Sequence, residues 1–254
     1  MSRDKKLSLA LVAGLAALTL AMPAFAQSLS IDLGGATDAT GPNSTSGRIV
    51  QLLLLMTVLS IAPAILMMVT SFTRIVIVLS ILRRALGTNT TPPNVVMMSL
   101  AIFITVFVMM PTFQASWDNG VKPLIDGQIT EQEAFTRGTQ PFHQFMMRHV
   151  REKDLSLFMN MANVPQVATP EETPLQALIP AFMISELRRA FEIGFLIYVP
   201  FIIIDMVIAS VLMSMGMMML PPMMLSLPFK LIFFVLVDGW FLLVGSLVAS
   251  FSGG

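Results

Sequence analysis

The residues that could do chemistry are few, and their spacing does not suit it. His143 and His149 are the only histidines and stand six apart. A helical metal pair needs i, i+4 spacing, as in His-Glu-x-x-His, so these two do not form one. A satisfied structural role is expected for both. The chain has no cysteine, which removes a thiol nucleophile, a zinc cluster and a disulfide framework together. There is no Gly-x-Ser-x-Gly elbow and no Walker loop. No apolar stretch carries a histidine, so a membrane serine protease would lack its base. The carboxylates lie singly rather than in acid–base pairs. The sequence argues against an enzyme and predicts no catalytic residue, no cofactor and no metal.

One chemistry is over-supplied. The chain holds 22 methionines, and the densest run is Met213-Ser-Met-Gly-Met-Met-Met-Leu-Pro-Pro-Met-Met224. Pro221 and Pro222 stop a helix, and Gly216 is expected to loosen the approach. Met217, Met218 and Met219 are therefore expected on a loop or helix end, with Met223 and Met224 beyond it. Methionine is unbranched, polarizable and able to re-pack against irregular surfaces. The run carries no charge. It reads two ways: as a membrane-dipping turn filled with Met, or as a gasket that excludes water from a pore yet moulds around polypeptide.

The elements that position this run are apolar. Hydrophobic residues make up 55% of the chain and charged ones 12%, against about 25% charged in soluble proteins. Mean hydropathy is +0.79. That excludes a soluble enzyme and a disordered chain and points to a membrane protein. Net charge is zero, with no basic patch for nucleic acid.

Residues 1–26 read as a secretory signal. Arg3, Lys5 and Lys6 precede an apolar run, and Ala24-Phe-Ala26 is a small-x-small cleavage site, giving cleavage between Ala26 and Gln27. Residues 27–48 read as a flexible linker. Four apolar stretches follow, at 49–72, 95–110, 193–213 and 227–251. A span needs about 20 apolar residues, so 95–110 is marginal and the others suffice. The expected fold is all-α: one helical hairpin over 49–110, a polar helical insert over 111–192, and a second hairpin over 193–254 holding the methionine loop. Trp117 and Asn119-Gly120 read as turn punctuation. One insert helix is expected near 131–163; another starts near Thr173 and runs on into the third stretch. Arg74, Arg83 and Arg84 place the loop between the first two stretches in the cytoplasm and the insert in the periplasm.

The apolar stretches contain flaws for lipid. Pro63 and Pro200 tend to kink. Asp205 and Asp238 cost about 2.5–3.5 kcal/mol each in a membrane. They either cap or bridge helices within the chain or face other subunits. Asp205, Lys230 and Asp238 are expected as buried polar groups satisfied by protein.

Several blocks carry a resemblance. They are Ser71-Phe-Thr-Arg74-Ile-Val-Ile-Val with Leu82-Arg83 and Ala85-Leu-Gly87; Leu178-Ile-Pro-Ala-Phe-Met-Ile-Ser-Glu186-Leu-Arg-Arg-Ala-Phe-Glu-Ile-Gly-Phe195; Phe201-Ile-Ile-Ile-Asp205; Met215-Gly-Met-Met-Met219; and Leu227-Pro-Phe-Lys230 through Asp238-Gly-Trp240. Over essentially the whole mature chain these resemble the FliP/SctR family of type III export-gate components. The signal and amino-terminal extension favour the flagellar branch over the injectisome. The resemblance implies several copies, usually a pentamer, assembled with FliQ and FliR, alongside FlhB and FlhA. It implies a channel in the bacterial inner membrane, within the flagellar basal body and largely on its periplasmic side, that passes unfolded rod, hook and filament proteins. It assigns gating to Met217, Met218 and Met219. Leu220, where the family usually has a small or β-branched residue, and Met223-Met224 would thicken the seal. Phe145, Arg151, Phe158 and Glu186 are expected at subunit contacts, though Glu186 also reads as a surface charge beside Arg188 and Arg189.

Overall fold

The computed structural model describes residues 45–88, 90–163, 169–217 and 221–252. The signal segment with Ala26 and Gln27, the linker up to residue 44, and Met218, Met219 and Leu220 lie outside these. Among the described residues all regular structure is helical. The chain divides into two units, Met1–Val58 and Leu59–Gly254. Helix α1, Thr45–Met68, runs across that division and starts inside the segment expected as a linker. All packing described below lies within the second unit.

Pro63 does not break α1; the helix ends beyond it, at Met68. A short link follows, and the Thr70 hydroxyl accepts the Phe72 N–H at 3.4 Å. Helix α2, Phe72–Ala85, buries Ile75, Val78, Leu79 and Leu82, an i, i+3, i+4, i+7 stripe. At about 1.5 Å per residue it is near 21 Å long, too short to cross the hydrocarbon core alone. It serves as the inner post of the fold. Its stripe shares one core with Met97, Ala101, Ile104, Ala190, Phe201, Phe234, Leu243 and Leu247 of the helices that follow.

Helix α3, Asn94–Ser116, reverses the expectation of a marginal span. It runs through Pro111, continues as a π-helical turn at Trp117–Val121 and ends as α4, Lys122–Ile125. The whole rod, Asn94–Ile125, has the length and apolarity of a membrane span. Trp117 and Asn119-Gly120 are thus helical rather than a turn. A close crossing explains the glycine. A Cβ on Gly120 would sit 2.7 Å from Gly138 Cα and 2.9 Å from the Ala134 carbonyl oxygen.

The insert begins with α5, Glu131–His149, capped by Thr130 and Glu133 in a reciprocal capping box. It does not run on to 163 as expected. Val150 and Arg151 are extended, and α6, Glu152–Met161, starts afresh. The break is stabilised from outside, because the Arg151 N–H donates to Ser185 Oγ at 3.1 Å. After a 3-10 turn at Pro170–Glu172 comes α7, Leu175–Ser214. As expected, the second insert helix and the third apolar stretch are one element. Its 40 residues span about 60 Å, twice a bilayer core. One half can lie in lipid while Glu186, Arg188 and Glu192 stand outside it.

The last stretch is broken. Helix α8, Pro222–Leu236, and helix α9, Gly239–Ser252, meet at a 63° bend. Asp238 sits at the bend with φ +52°. Gly239 follows because a Cβ there would lie 2.2 Å from the Phe234 ring. Among the described residues two helices are long and apolar enough to cross a membrane, or up to four if each bent pair counts as one. Helix α2, from the first expected hairpin, shares its core with α7, α8 and α9.

Candidate functional site: the methionine turn and its clamps

Helix α7 ends in a defined cap. Gly216 adopts φ +75°. Its N–H donates to Met213 O at 3.1 Å, and the Met217 N–H donates to Leu212 O at 3.0 Å. These are the two bonds of a Schellman cap, which needs a left-handed residue, and glycine takes that shape without penalty. Gly216 therefore fixes the turn instead of loosening it. Pro221 is extended, and Pro222 opens α8 at its first helical position, where a missing N–H costs nothing. The chain is thus stopped on one side by glycine and restarted on the other by proline. Met213, Met215 and Met217 lie at the end of α7, and Met223 and Met224 at the start of α8; all five are exposed.

A buried polar clamp holds the two helices just below this turn. Lys230 Nζ donates to Asp205 Oδ2 at 2.6 Å and to the Ala85 carbonyl at 3.1 Å. The Ser226 hydroxyl donates to Asp205 Oδ1 at 2.6 Å. Lys230 and Ser226 are buried, and Asp205 is half-buried. One ammonium thereby ties α7, α8 and the carboxyl end of α2, where the helix dipole favours a cation. Asp205 and Lys230 are thus paired with each other inside a single chain. Ser226 was not anticipated, although it stands four residues before Lys230 on the same face of α8.

A second clamp ties α2 to the insert. Arg74 and Glu186 form a bidentate pair, with Nε donating to Oε2 at 2.8 Å and Nη2 donating to Oε1. Both are fully buried. Arg74 Nη1 donates to Ser250 Oγ at 2.9 Å, and the guanidinium lies 3.7 Å from the Phe251 ring centroid. Arg74 is thus no loop charge, and it does not report on which side of a membrane a loop lies.

The same clamp revises the expected subunit contacts. Glu186 is enclosed by its own chain, so neither the surface-charge reading nor a subunit contact fits this arrangement. Phe145 is buried against Phe182, His149 and Phe251, with ring centroids 5.9, 4.6 and 6.1 Å away. Its aromatic face is already occupied. Arg151 and Phe158 remain partly accessible. Arg151 donates to Glu192 at 3.1 Å, and Ser185 joins the group by donating to Asp154 at 2.7 Å. Asp238 is exposed rather than buried, because the bend turns its side chain outward. His143 Nε2 lies 2.8 Å from the Thr173 carbonyl, as a structural histidine should. His149 fits that expectation only in part. Its Nδ1 bonds the Phe145 carbonyl at 2.8 Å, while Nε2 has no partner. Among the described residues no three His, Cys, Asp or Glu side chains are grouped to hold a metal.

Residues 55–247 match the model of the FliP family. The chain belongs to that family. Flagellar biosynthetic protein FliP of Caulobacter vibrioides is 57% identical to it over 249 residues, covering 96% of this chain and 91% of that protein. The protein of the same name from Bacillus subtilis is 53% identical over 221 residues, covering 87% and 98%. That of Aquifex aeolicus is 48% identical over 204 residues, covering 80% and 85%. The FliP match contains Arg74, Glu186, Asp205, Ser226 and Lys230, and with them the methionine turn. Ser250 and Phe251, which complete the Arg74 clamp, lie just beyond it.

Proposed function

We propose that this FliP-family chain is a channel-forming subunit of the flagellar type III export gate. Unfolded rod, hook and filament proteins pass across the inner membrane through an assembly of several copies, five in the simplest ring. FliQ, FliR, FlhB and FlhA are its partners, and the assembly sits in the basal body with the insert on the periplasmic side. The observation that carries this reading is the α7–α8 turn. Its described side chains are exposed methionines without a charge among them, and it is held on a buried Asp205–Lys230–Ser226 clamp. A soft apolar surface on a rigid base suits a constriction that dewets when idle and yields to polypeptide. The exposed apolar faces of α7 and α8, including Phe195, Leu196, Val235 and Leu236, support burial against other chains or lipid.

The test is direct. In the assembled gate, Met217, Met218 and Met219 are replaced together by Ala, and ion leak and motility are measured. The reading expects a several-fold rise in leak. A seal as tight as the wild type would end the gating role. A purely structural scaffold would instead tolerate Asp at Met217 with no change in export.

A further inference from the structure

We propose that the cleft between α3, α5 and α9 holds the phosphate headgroup of an anionic phospholipid. Such a site needs no channel, so it stands apart from the gating role. The cleft encloses about 380 Å³, inside the usual range of ligand sites, about 300–1,000 Å³. Phe107 and Pro111 of α3 and Val248 of α9 line its apolar side, and Thr112, Arg148 and His149 line its polar end. No carboxylate lines it.

Two side chains at the polar end are short of partners. Arg148 is exposed and forms no ion pair among the described residues. His149 is only 3% exposed. Its Nδ1 meets the Phe145 carbonyl, which can only accept, so Nδ1 carries the hydrogen and Nε2 keeps a lone pair that no described group fills. An unmet buried acceptor is costly, and a headgroup hydroxyl supplies the donor. A basic pocket between apolar helices is the chemistry that holds an anionic headgroup. The depth fits as well. Helix α3 carries no charge from Asn94 onward, and the first in the rod is Asp118. Exposed Trp117 stands between Thr112 and that charge, and Trp favours the membrane–water boundary. Away from the insert, Phe107 and Phe103 are 69% and 74% exposed, four residues apart on one face of a rod long and apolar enough to span a membrane. An acyl chain on that face brings its phosphate to Arg148. Free phosphate would leave the apolar side of the cleft bare.

The full-length assembly in detergent is mixed with phosphatidylglycerol or with phosphatidylcholine of the same acyl chains, and lipid retained per subunit is counted by native mass spectrometry. Phosphatidylglycerol should be retained several-fold better. Arg148→Gln should lower it to the phosphatidylcholine level. Arg137→Gln, on the same helix but outside the cleft, should not, and excess inorganic phosphate should not displace the lipid. Equal retention of the two lipids would overturn the proposal, as would wild-type retention by Arg148→Gln. Displacement by inorganic phosphate would make this a free-anion site instead. A large gain in retention on deleting Gly253 and Gly254 would give the cleft to the chain's own carboxylate. Retention by single subunits but not by the assembly would give it to a neighbouring subunit. If a variant fails to assemble, the lipid and phosphate comparisons on the wild type decide.

Discussion

Arg74 and Glu186 are both withdrawn from water, so neither can be removed alone without leaving a bare charge in the core. Arg74→Leu should cost about 3–5 kcal/mol, the usual penalty for breaking a buried pair from one side. Changing Arg74 to Met and Glu186 to Leu together should cost less than either single change, because no charge is then stranded. Unfolding midpoints in detergent would show the order, and a double variant worse than both singles would contradict it. His149 adds a pH dependence. Burial is the main cause holding its pKa below the ordinary 6.5, and the nearby Arg74 charge acts the same way, against the Phe145 carbonyl. Folded His149 is therefore neutral where the unfolded residue is already protonated. Below about pH 6.5 the unfolded chain binds more protons, so stability is lost as pH falls. His149→Phe should flatten that loss, read as the unfolding midpoint between about pH 5 and 7. At this scale the sequence told which residues were costly in an apolar chain, but not their partners. Arg74 read as a loop charge because its acid lies 112 residues away, and no local pattern links them.

Helix ends were easier to anticipate than helix joints. Gly216 and Pro221-Pro222 marked the α7–α8 turn, and the first insert helix starts at Glu131, near the expected place. The joints depended on neighbours. Pro63 and Pro111 sit inside continuous helices, while the real breaks fall at Thr70 and Asp238. Both prolines stand exposed on their helices, so a proline in the sequence did not by itself tell a continuous helix from a break. The α3–α5 crossing offers a test at this scale. Gly120→Ala would drive a methyl group into the Gly138 backbone, which cannot rotate away. Overpacking of this kind costs about 1–3 kcal/mol. The expected result is early proteolysis of the insert, with the α7–α8 clamp intact. Gly245→Ala, where nothing lies within 4 Å of the added Cβ and the backbone is ordinary helix, controls for the added methyl group.

Across the whole molecule, the apolar surface exceeds what one chain can cover. Leu236 is 80% exposed, next to the bend that carries Asp238. Leu236→Lys should leave the fold of one subunit unchanged and weaken association between subunits. Native mass spectrometry of detergent-solubilised protein would then show smaller assemblies than the wild type. An assembly of unchanged mass would assign that face to lipid instead.

Composition and periodicity alone determined an all-α membrane chain, a continuous helix from the insert into the third apolar stretch, and a charge-free methionine run stopped by two prolines. Those properties depend on residues within a few turns of one another, where spacing and backbone chemistry act directly. Only the tertiary structure decided that Arg74 pairs with Glu186, that Lys230 ties three helices through Asp205 and Ala85, and that the last apolar stretch bends at Asp238. The pairings join residues 112, 25 and 145 apart in sequence, and at the bend Gly239 closes on the Phe234 ring. Desolvation makes such a pairing compulsory, but only folding chooses the partner.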